Sequence, residues 1–266
     1  MKELASQLPD ECSCLFIAGG DGSLHEAVNG LMGRDIRPLI HLIPLGSGND
    51  FARTLGIHAS HYLSVRENLF RERTIDVMRI SCKDKLGQDI VKYTINIADV
   101  GIGGEIAGWL HRIPGFLGPG VKYVLAVLLG FLRYKKRCFR LKSETIQFEG
   151  NALALCMANG IFFGNGLGIA PQANPGDGKI AIACFGEVTL WDYIRYLPQI
   201  RRGQQVIDIR VFYGESFKLH IDCLSGSAPV DMDGELGGFT PLTAEIVAGA
   251  LRFALPEAQD SAGKRK

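Results

Sequence analysis

The sequence predicts an α/β domain followed by a mostly antiparallel β-sandwich, and three observations carry that prediction. Two short apolar runs near the N-terminus each stop at a glycine-rich turn that opens a helical pattern. From about Thr74 the texture changes to apolar/polar alternation in many short segments. Glycine is over-represented, 33 of 266 residues or about 12% against an average near 7%, with no collagen period or Gly/Ser linker to absorb the excess. Such glycines belong where the backbone turns sharply or approaches something closely.

The first unit is the apolar run Leu15 to Ala18, stopped by Gly19-Gly20-Asp21-Gly22. Leu24, Ala27, Val28 and Leu31 then recur at helical spacing, and Gly33 is placed to end the helix. A second copy follows: Leu39 to Ile43 is strand-like and Pro44-Leu45-Gly46-Ser47-Gly48 is a turn. Asn49 is placed to cap a helix carrying Phe51, Ala52 and Leu55, which Gly56 closes. Strands alternating with helices argue for a parallel sheet. Farther on, 75–80, 91–97, 153–158, 180–184 and 217–221 read as strands separated by glycine-rich turns, which suits an antiparallel sandwich. One helix, roughly Val121 to Arg133, interrupts them. Thr243 to Leu255 reads as further strand, and the polar residues 258–266 as a disordered tail.

Composition narrows the function classes. Hydrophobic residues are 47% and charged residues 21%, a globular balance on a chain long enough to bury a core without staples. Lys+Arg 29 against Asp+Glu 28 leaves +1, so no global field marks a nucleic-acid binder. Seven cysteines without a C-x-x-C pair are expected to be reduced and mostly buried. Lys2, Glu3, Gln7 and Asp10 leave no apolar stretch for a signal peptide. The longest apolar run, Tyr123 to Leu132, is about half the ~20 residues of a spanning helix. A soluble, cytoplasmic protein is expected, with peripheral membrane contact open.

A strand that ends in glycines and opens a helix turns several backbone N–H groups toward one point, where the helix N-terminus adds positive potential. Such a turn can cradle phosphate. Asp21 in its middle either meets a cation or a proton there, or caps a helix; both readings stand. Ser47, Asn49 and Asp50 add polar groups at the same sheet edge, where ligands of open α/β sheets gather. The P-loop, the dinucleotide G-x-G-x-x-G, the G-x-S-x-G elbow and the H-E-x-x-H zinc pair are all absent.

Gly19-Gly20-Asp21-Gly22-Ser23-Leu24-His25-Glu26-Ala27-Val28-Asn29-Gly30 resembles the nucleotide signature of the diacylglycerol kinase catalytic domain. Pro44-Leu45-Gly46-Ser47-Gly48-Asn49-Asp50-Phe51-Ala52-Arg53 resembles its second signature, which is the more specific, since NAD kinases and phosphofructokinases also carry Gly-Gly-Asp-Gly. Asn159-Gly160 through Gly164-Asn165-Gly166, Ala170-Pro171-Gln172-Ala173, Asp177-Gly178 and Asp233-Gly234-Glu235 follow in the family's order. The nearest group is the bacterial lipid kinases related to sphingosine kinases.

The resemblance implies an NAD-kinase-like α/β nucleotide-binding domain over 1–73, to which about 243–257 returns, and a β-sandwich lipid-substrate domain over 74–242. It implies that Gly19, Gly20, Asp21, Gly22, Ser23, Ser47 and Asn49 hold ATP. Asp177, with carbonyls near Asn174 and Lys179, would bind a structural Mg²⁺. Glu235 would be the general base, while Asp21 and Asp233 position the catalytic Mg²⁺. Asp-Gly is also a common hairpin turn, so a turn carboxylate stays open for Asp177 and Asp233. Departures are Ser23 and Ser47 where Thr is commoner, Asn165 where Gly is frequent, and the family's opening strand and Asn-Pro-x-x-Gly turn, which the chain is expected to lack. The alternatives are an NAD-kinase-like enzyme on a soluble acceptor and a catalytically silent nucleotide- or lipid-binding protein.

Between Glu105 and Glu144 no acidic residue occurs. Arg112, Lys122, Arg133, Lys135, Lys136, Arg137, Arg140 and Lys142 flank Trp109, Phe116, Leu117 and the Tyr123–Leu132 run. Segment 112–142 therefore suits an anionic membrane surface, or a solvated basic loop beside a buried helix.

Overall fold

The computed structural model describes residues 1–63, 70–114 and 118–257; the expected tail 258–266 and the pair Phe116 and Leu117 lie outside the described residues. Helix α1 (Lys2–Ser6) precedes β1 (Cys14–Gly19), α2 (Asp21–Leu31), β2 (Leu39–Pro44), α3 (Asp50–Thr54) and α4 (Ser60–Leu63). Strands β1 and β2 run parallel, from Cys14 opposite Leu39 to Gly19 opposite Pro44. Equal registers end both strands at one sheet edge, so the two glycine turns emerge side by side. Leu24, Val28 and Leu31 of α2 close over Ile17, Ile40 and Leu42, with Phe51 and Phe253 in the same core.

Next come β3 (Phe70–Lys83), β4 (Asp89–Thr94), β5 (Ile97–Gly101), α5 (Ile102–Arg112) and α6 (Pro119–Arg133). Strands β6 (Arg137–Ser143), β7 (Gln147–Ala152), β8 (Ala154–Ala158), β9 (Phe162–Phe163), β10 (Leu167–Gly168) and β11 (Ile180–Phe185) follow. Helix α7 (Leu190–Arg201), then β12 (Val211–Ser216), β13 (Lys218–Cys223), β14 (Pro229–Met232) and β15 (Glu235–Pro256) complete the chain. The sandwich follows the order β12-β11-β8-β5-β14-β15-β13-β6-β7, with β9 and β10 forming a separate ribbon. Its inner core joins Met157, Ile182, Phe139, Leu141, Ile80 and Val230, so the sheet curls until strands far apart in that order share one interior. The fold is an α/β unit with a parallel strand pair joined to a mostly antiparallel β-sandwich.

Strand β15 ties the two parts together. It pairs antiparallel with β14, β13 and β3, and its Arg252 and Phe253 lie parallel to Leu39 and Ile40 of β2. Its register against β3 shifts between Val247 and Leu251. There the buried Asp76 of β3 accepts N–H bonds from Gly249 and Gly178, both at 2.7 Å. Without a carboxylate at that point two backbone donors of the irregular crossing would lack partners.

Alternation is weaker than the sequence suggests at two strands. Every residue of β8 and β11 is buried, because α5, α6 and α7 cover the sheet's outer face. Ile97 and Cys156 belong to this outer layer, while their neighbours Ala98 and Met157 face the inner core. Helices α5 and α7 carry no expectation from sequence. Pro198 sits inside α7 and masks a helix that starts with a capping box: Thr189 and Asp192 each bond the other's backbone N–H.

Candidate active site

The glycine turns meet backbone to backbone. A Cβ on Gly46 would stand 2.4 Å from the Gly20 Cα, so only glycine permits the approach. Asp21 laces the turns together: its Oδ2 accepts the Asp50 N–H at 3.1 Å and its Oδ1 the Phe51 N–H at 3.0 Å. Asp21 thus caps α3, the role expected of Asn49. Asn49 instead has φ +53° and turns back, accepting the Gly46 N–H at 3.0 Å and donating to the Gly46 carbonyl at 2.6 Å. Asp50 repeats the device across the cleft, accepting the N–H groups of Asn165 and Gly166 at 2.8 and 2.7 Å. Asn165 sits at φ +68°, which accounts for the family's frequent glycine there.

A cleft of about 550 Å³ opens between these loops and the sandwich. Gly20, Asp21, Gly22, Gly46, Ser47 and Gly48 form one wall, and Asn96, Asp231, Asp233 and Gly234 lie opposite. Gly19, Ser23 and Asn49, expected to touch nucleotide, lie behind the wall. Ser23 folds back over Gly19, whose added Cβ would meet its Oγ at 2.5 Å.

Asp233 requires a correction. Its buried carboxylate accepts Asn96 and Ile97 N–H on Oδ1 at 3.0 and 3.1 Å, and Ile95 N–H and the His25 imidazole on Oδ2 at 3.1 and 2.7 Å. Four donors fill the roughly four acceptor positions of a carboxylate, leaving no lone pair for Mg²⁺. Asp233 is a structural knot that fixes the turn to Glu235. Burial pulls the His25 pKa down, but the hydrogen bond and charge of Asp233 outweigh it and hold the imidazole above its ordinary value. Asp21, with two donors on its carboxylate, keeps open positions on the cleft wall.

Glu235 stands exposed at the rim, its backbone paired with Met232 and its carboxylate without a hydrogen bond among the described residues. A Cβ on Gly22 would lie 3.9 Å from its Oε1, so the open carboxylate flanks the first turn.

The 174–179 loop gathers the other expected metal residues. The Asn174 amide oxygen accepts from Arg73 at 2.6 Å and its carbonyl from the Gly176 N–H at 2.8 Å. Exposed Asp177 accepts the Lys179 N–H on Oδ1 at 3.0 Å, and the Lys179 ammonium pairs with Glu215 at 2.8 Å. Among the described residues no three His, Cys, Asp or Glu side chains converge on a metal position. One open carboxylate oxygen with backbone carbonyls fits only a hard cation that keeps most of its water, as Mg²⁺ does.

Among the buried polar residues, His25, Asp76 and Asp99 were given no role by sequence reading. Asp50 stands inside the second signature and was legible as a motif residue. The His25–Asp233 bond spans 208 positions and leaves no local trace.

Residues 100–255 match the YegS C-terminal NAD kinase beta sandwich-like domain, over half of the chain. The chain belongs to that family. Residues 1–80 match the diacylglycerol kinase catalytic domain, in agreement with the two signatures, and place the chain with the bacterial lipid kinase group. A diacylglycerol kinase of Bacillus subtilis strain 168 is 27% identical over 238 residues, covering 87% of this chain and 74% of that protein. The crystal structure of a diacylglycerol kinase from Bacillus anthracis strain Sterne has the same fold, with a TM-score of 0.67 at 19% identity, covering 96% of this chain and 80% of that one.

Proposed function

We propose that the chain is a lipid kinase that moves the γ-phosphate of ATP to a hydroxyl of diacylglycerol or a related lipid at a membrane surface. The observation that carries this reading is an open carboxylate, Glu235, beside a glycine turn at the start of an eleven-residue helix. The first N–H groups of α2 have no intrahelical acceptor and suit phosphate oxygens. Gly20, Gly22 and Gly48 let those oxygens come close, and Ser47 offers a hydroxyl. Glu235 would take the proton from the acceptor hydroxyl as the hydroxyl oxygen attacks the γ-phosphorus and the bond to the bridging oxygen breaks, releasing ADP. Mg²⁺ bound with ATP would neutralise phosphate charge, and Asp21 is the cleft carboxylate placed to contact it. A second Mg²⁺ would be held by Asp177 and carbonyls of its loop.

The acceptor side favours a lipid over a soluble alcohol such as NAD. Beyond Gly103, Ile106 and Phe163, which also line the cleft, lies an apolar cavity of about 90 Å³ under α5, α6 and α7. It is well below the ~300 Å³ of a typical ligand pocket, so acyl chains would widen it by parting α6 from α7. The mouth is suited to a bilayer. Val121, Val124, Leu125, Leu128 and Leu132 form an exposed stripe on α6, and Trp191 and Ile194 extend it on α7, which touches α6 through Tyr193 and Phe131. Exposed Arg133, Lys135, Lys136 and Arg195 border the stripe and complement anionic headgroups. Of the expected basic segment, Arg112 and Arg133 stack over Trp109, Arg140 pairs with Glu149 and Arg137 bonds the Ser227 carbonyl. The exposed apolar stripe with its basic rim therefore replaces a continuous basic loop as the docking surface. No helix among the described residues is long and apolar enough to cross a membrane. We place the protein in the cytoplasm, docked on the inner membrane face.

The test is a labelled-ATP assay with Mg²⁺ over diacylglycerol, phosphatidylglycerol and sphingoid bases in vesicles, with NAD as the soluble control. Transfer to a lipid is expected. Transfer to NAD alone, or to nothing, overturns the reading. Co-sedimentation with vesicles should increase with anionic lipid and fall with salt; binding indifferent to both would remove the docking surface.

A further inference from the structure

Asp99 is a polar residue in an apolar place, and nothing in the chemistry above uses it. It lies on β5 between β14 and β8, opposite Asp231 on one side and Cys156 on the other. Its side chain faces the helix-covered layer and lines the apolar cavity, whose other walls include Ile102, Val127, Phe131 and Phe185. Only 3% of the residue is exposed, and its Oδ1 has no hydrogen-bond partner. Buried acceptors without partners are rare because each costs its full desolvation.

The neighbourhood keeps that oxygen available. Gly103, which lines both cleft and cavity, leaves the space that a Cβ would take 2.4 Å from that oxygen and 1.9 Å from Oδ2, and its backbone N–H interacts with the same carboxyl. The nearest carboxyl, Asp231, accepts the Gly234 N–H at 2.9 Å, and no hydrogen bond joins the two acids. Asp231 faces the cleft. The two carboxyls therefore stand at the junction between the nucleotide cleft and the apolar cavity, one lining each.

We infer that Asp99 is the polar anchor for the acceptor lipid, its carboxyl hydrogen-bonding a hydroxyl or ester carbonyl of a neutral glycerolipid whose chain enters the cavity. This rests on the lipid-kinase reading and adds the class of acceptor. Two carboxylates side by side in an apolar wall cannot both be charged, so the site favours a carboxylic acid that both donates and accepts. Burial pushes the Asp99 carboxyl up to about 7 and Asp231 well above its ordinary range. An anionic headgroup would be repelled by any charge the pair retains. Local rules are broken where a site needs it: an acid stands in an apolar wall, where a ligand group would satisfy its unpartnered oxygen.

The experiment compares the full chain with Asp99→Leu and Asp99→Asn in mixed micelles of dioleoylglycerol. For Asp99→Leu we expect the KM for diacylglycerol to increase at least about tenfold, the loss of one buried hydrogen bond, with the KM for ATP unchanged. Asp99→Asn, which still donates and accepts, should recover most of it. The melting temperature of Asp99→Leu should hold or increase, because a purely structural acid would lower it on removal. Binding of a fluorescent diacylglycerol analogue, measured without ATP, should weaken in parallel. A diacylglycerol KM within about twofold of wild type in Asp99→Leu, with analogue binding intact, overturns the inference. So does a wild-type preference for a sphingoid amine that depends on Asp99. Failure of the wild type to phosphorylate any lipid would sink the kinase reading instead, and analogue binding would still decide the role of Asp99.

Discussion

Replacing Asp233 by Asn separates a structural carboxylate from a metal ligand. The amide can keep its oxygen toward Asn96 and Ile97, but its NH₂ then faces the Ile95 N–H and the His25 ring. His25 can change tautomer to accept from the new amide. The Ile95 N–H cannot, and it becomes a buried orphan worth about 1–3 kcal/mol. The two surviving bonds lose their charge assistance, about 1 kcal/mol more, and the ion pair with His25 is gone. A total of roughly 4 kcal/mol is expected. At about 2.1 cal/mol/K of unfolding entropy per residue, that lowers the Tm by roughly 7 °C for a chain of this length. The assay is thermal unfolding followed by circular dichroism, with Mg²⁺ titrated separately in the transfer reaction. A Tm shift under about 1 °C, the size of a neutral surface change, would refute the knot, above all if the Mg²⁺ requirement moved instead.

Three further outcomes follow from the same geometry. Gly46→Ala forces a methyl against the Gly20 backbone, so the turns must part; the KM for ATP should increase more than about tenfold with lipid binding unchanged, read by initial rates. Glu235→Gln should cut kcat at least about 100-fold while leaving the Tm within about 1 °C, since the exposed carboxylate bonds no described residue; labelled-ATP transfer and calorimetry check both. His25, held above its ordinary pKa by Asp233 and Glu235 against burial and Lys92, contributes stability in full below about pH 6.5, lost as pH rises through its folded value. The Tm should therefore fall from about pH 6 to 8.5, and His25→Gln should flatten that slope; an unchanged slope removes His25 as its source.

Those outcomes depend on contacts of unequal legibility in sequence. The parallel unit was readable because Leu15–Ala18 and Leu39–Ile43 stop at glycines and open helical spacing. Helix α6 was readable from its apolar run, whereas α7 was hidden by Pro198 and α5 by its glycines. In the site, Gly20, Asp21, Gly22 and Ser47 lie on the cleft wall that motif order suggested. The motif could not say which polar atoms were already taken. Asp233 bonds backbone brought to it by the distant 95–97 segment, a saturation that exists only in three dimensions, while Asn49 is taken up by Gly46 of its own turn. Asp99 was illegible for the opposite reason: the strand read from sequence stops at Ile97, and nothing local shows that helices cover the outer face on which Asp99 stands while the inner face packs in the sandwich core.

Strand β15 has a consequence for motion. One continuous strand serves both halves, and Asp76 clamps its crossing to β3 and to the 174–179 loop. Among the described residues, a swing of the cleft walls would have to bend β15 at its irregular crossing, which Asp76 holds on both sides. We expect substrates to enter by local rearrangement of α5, α6 and the 164–166 turn, which line the cleft, rather than by movement of the sheet beneath. Amide hydrogen exchange would show this as uniformly slow exchange along β15, from the sandwich into the parallel sheet, with fast exchange confined to the helices above the cavity.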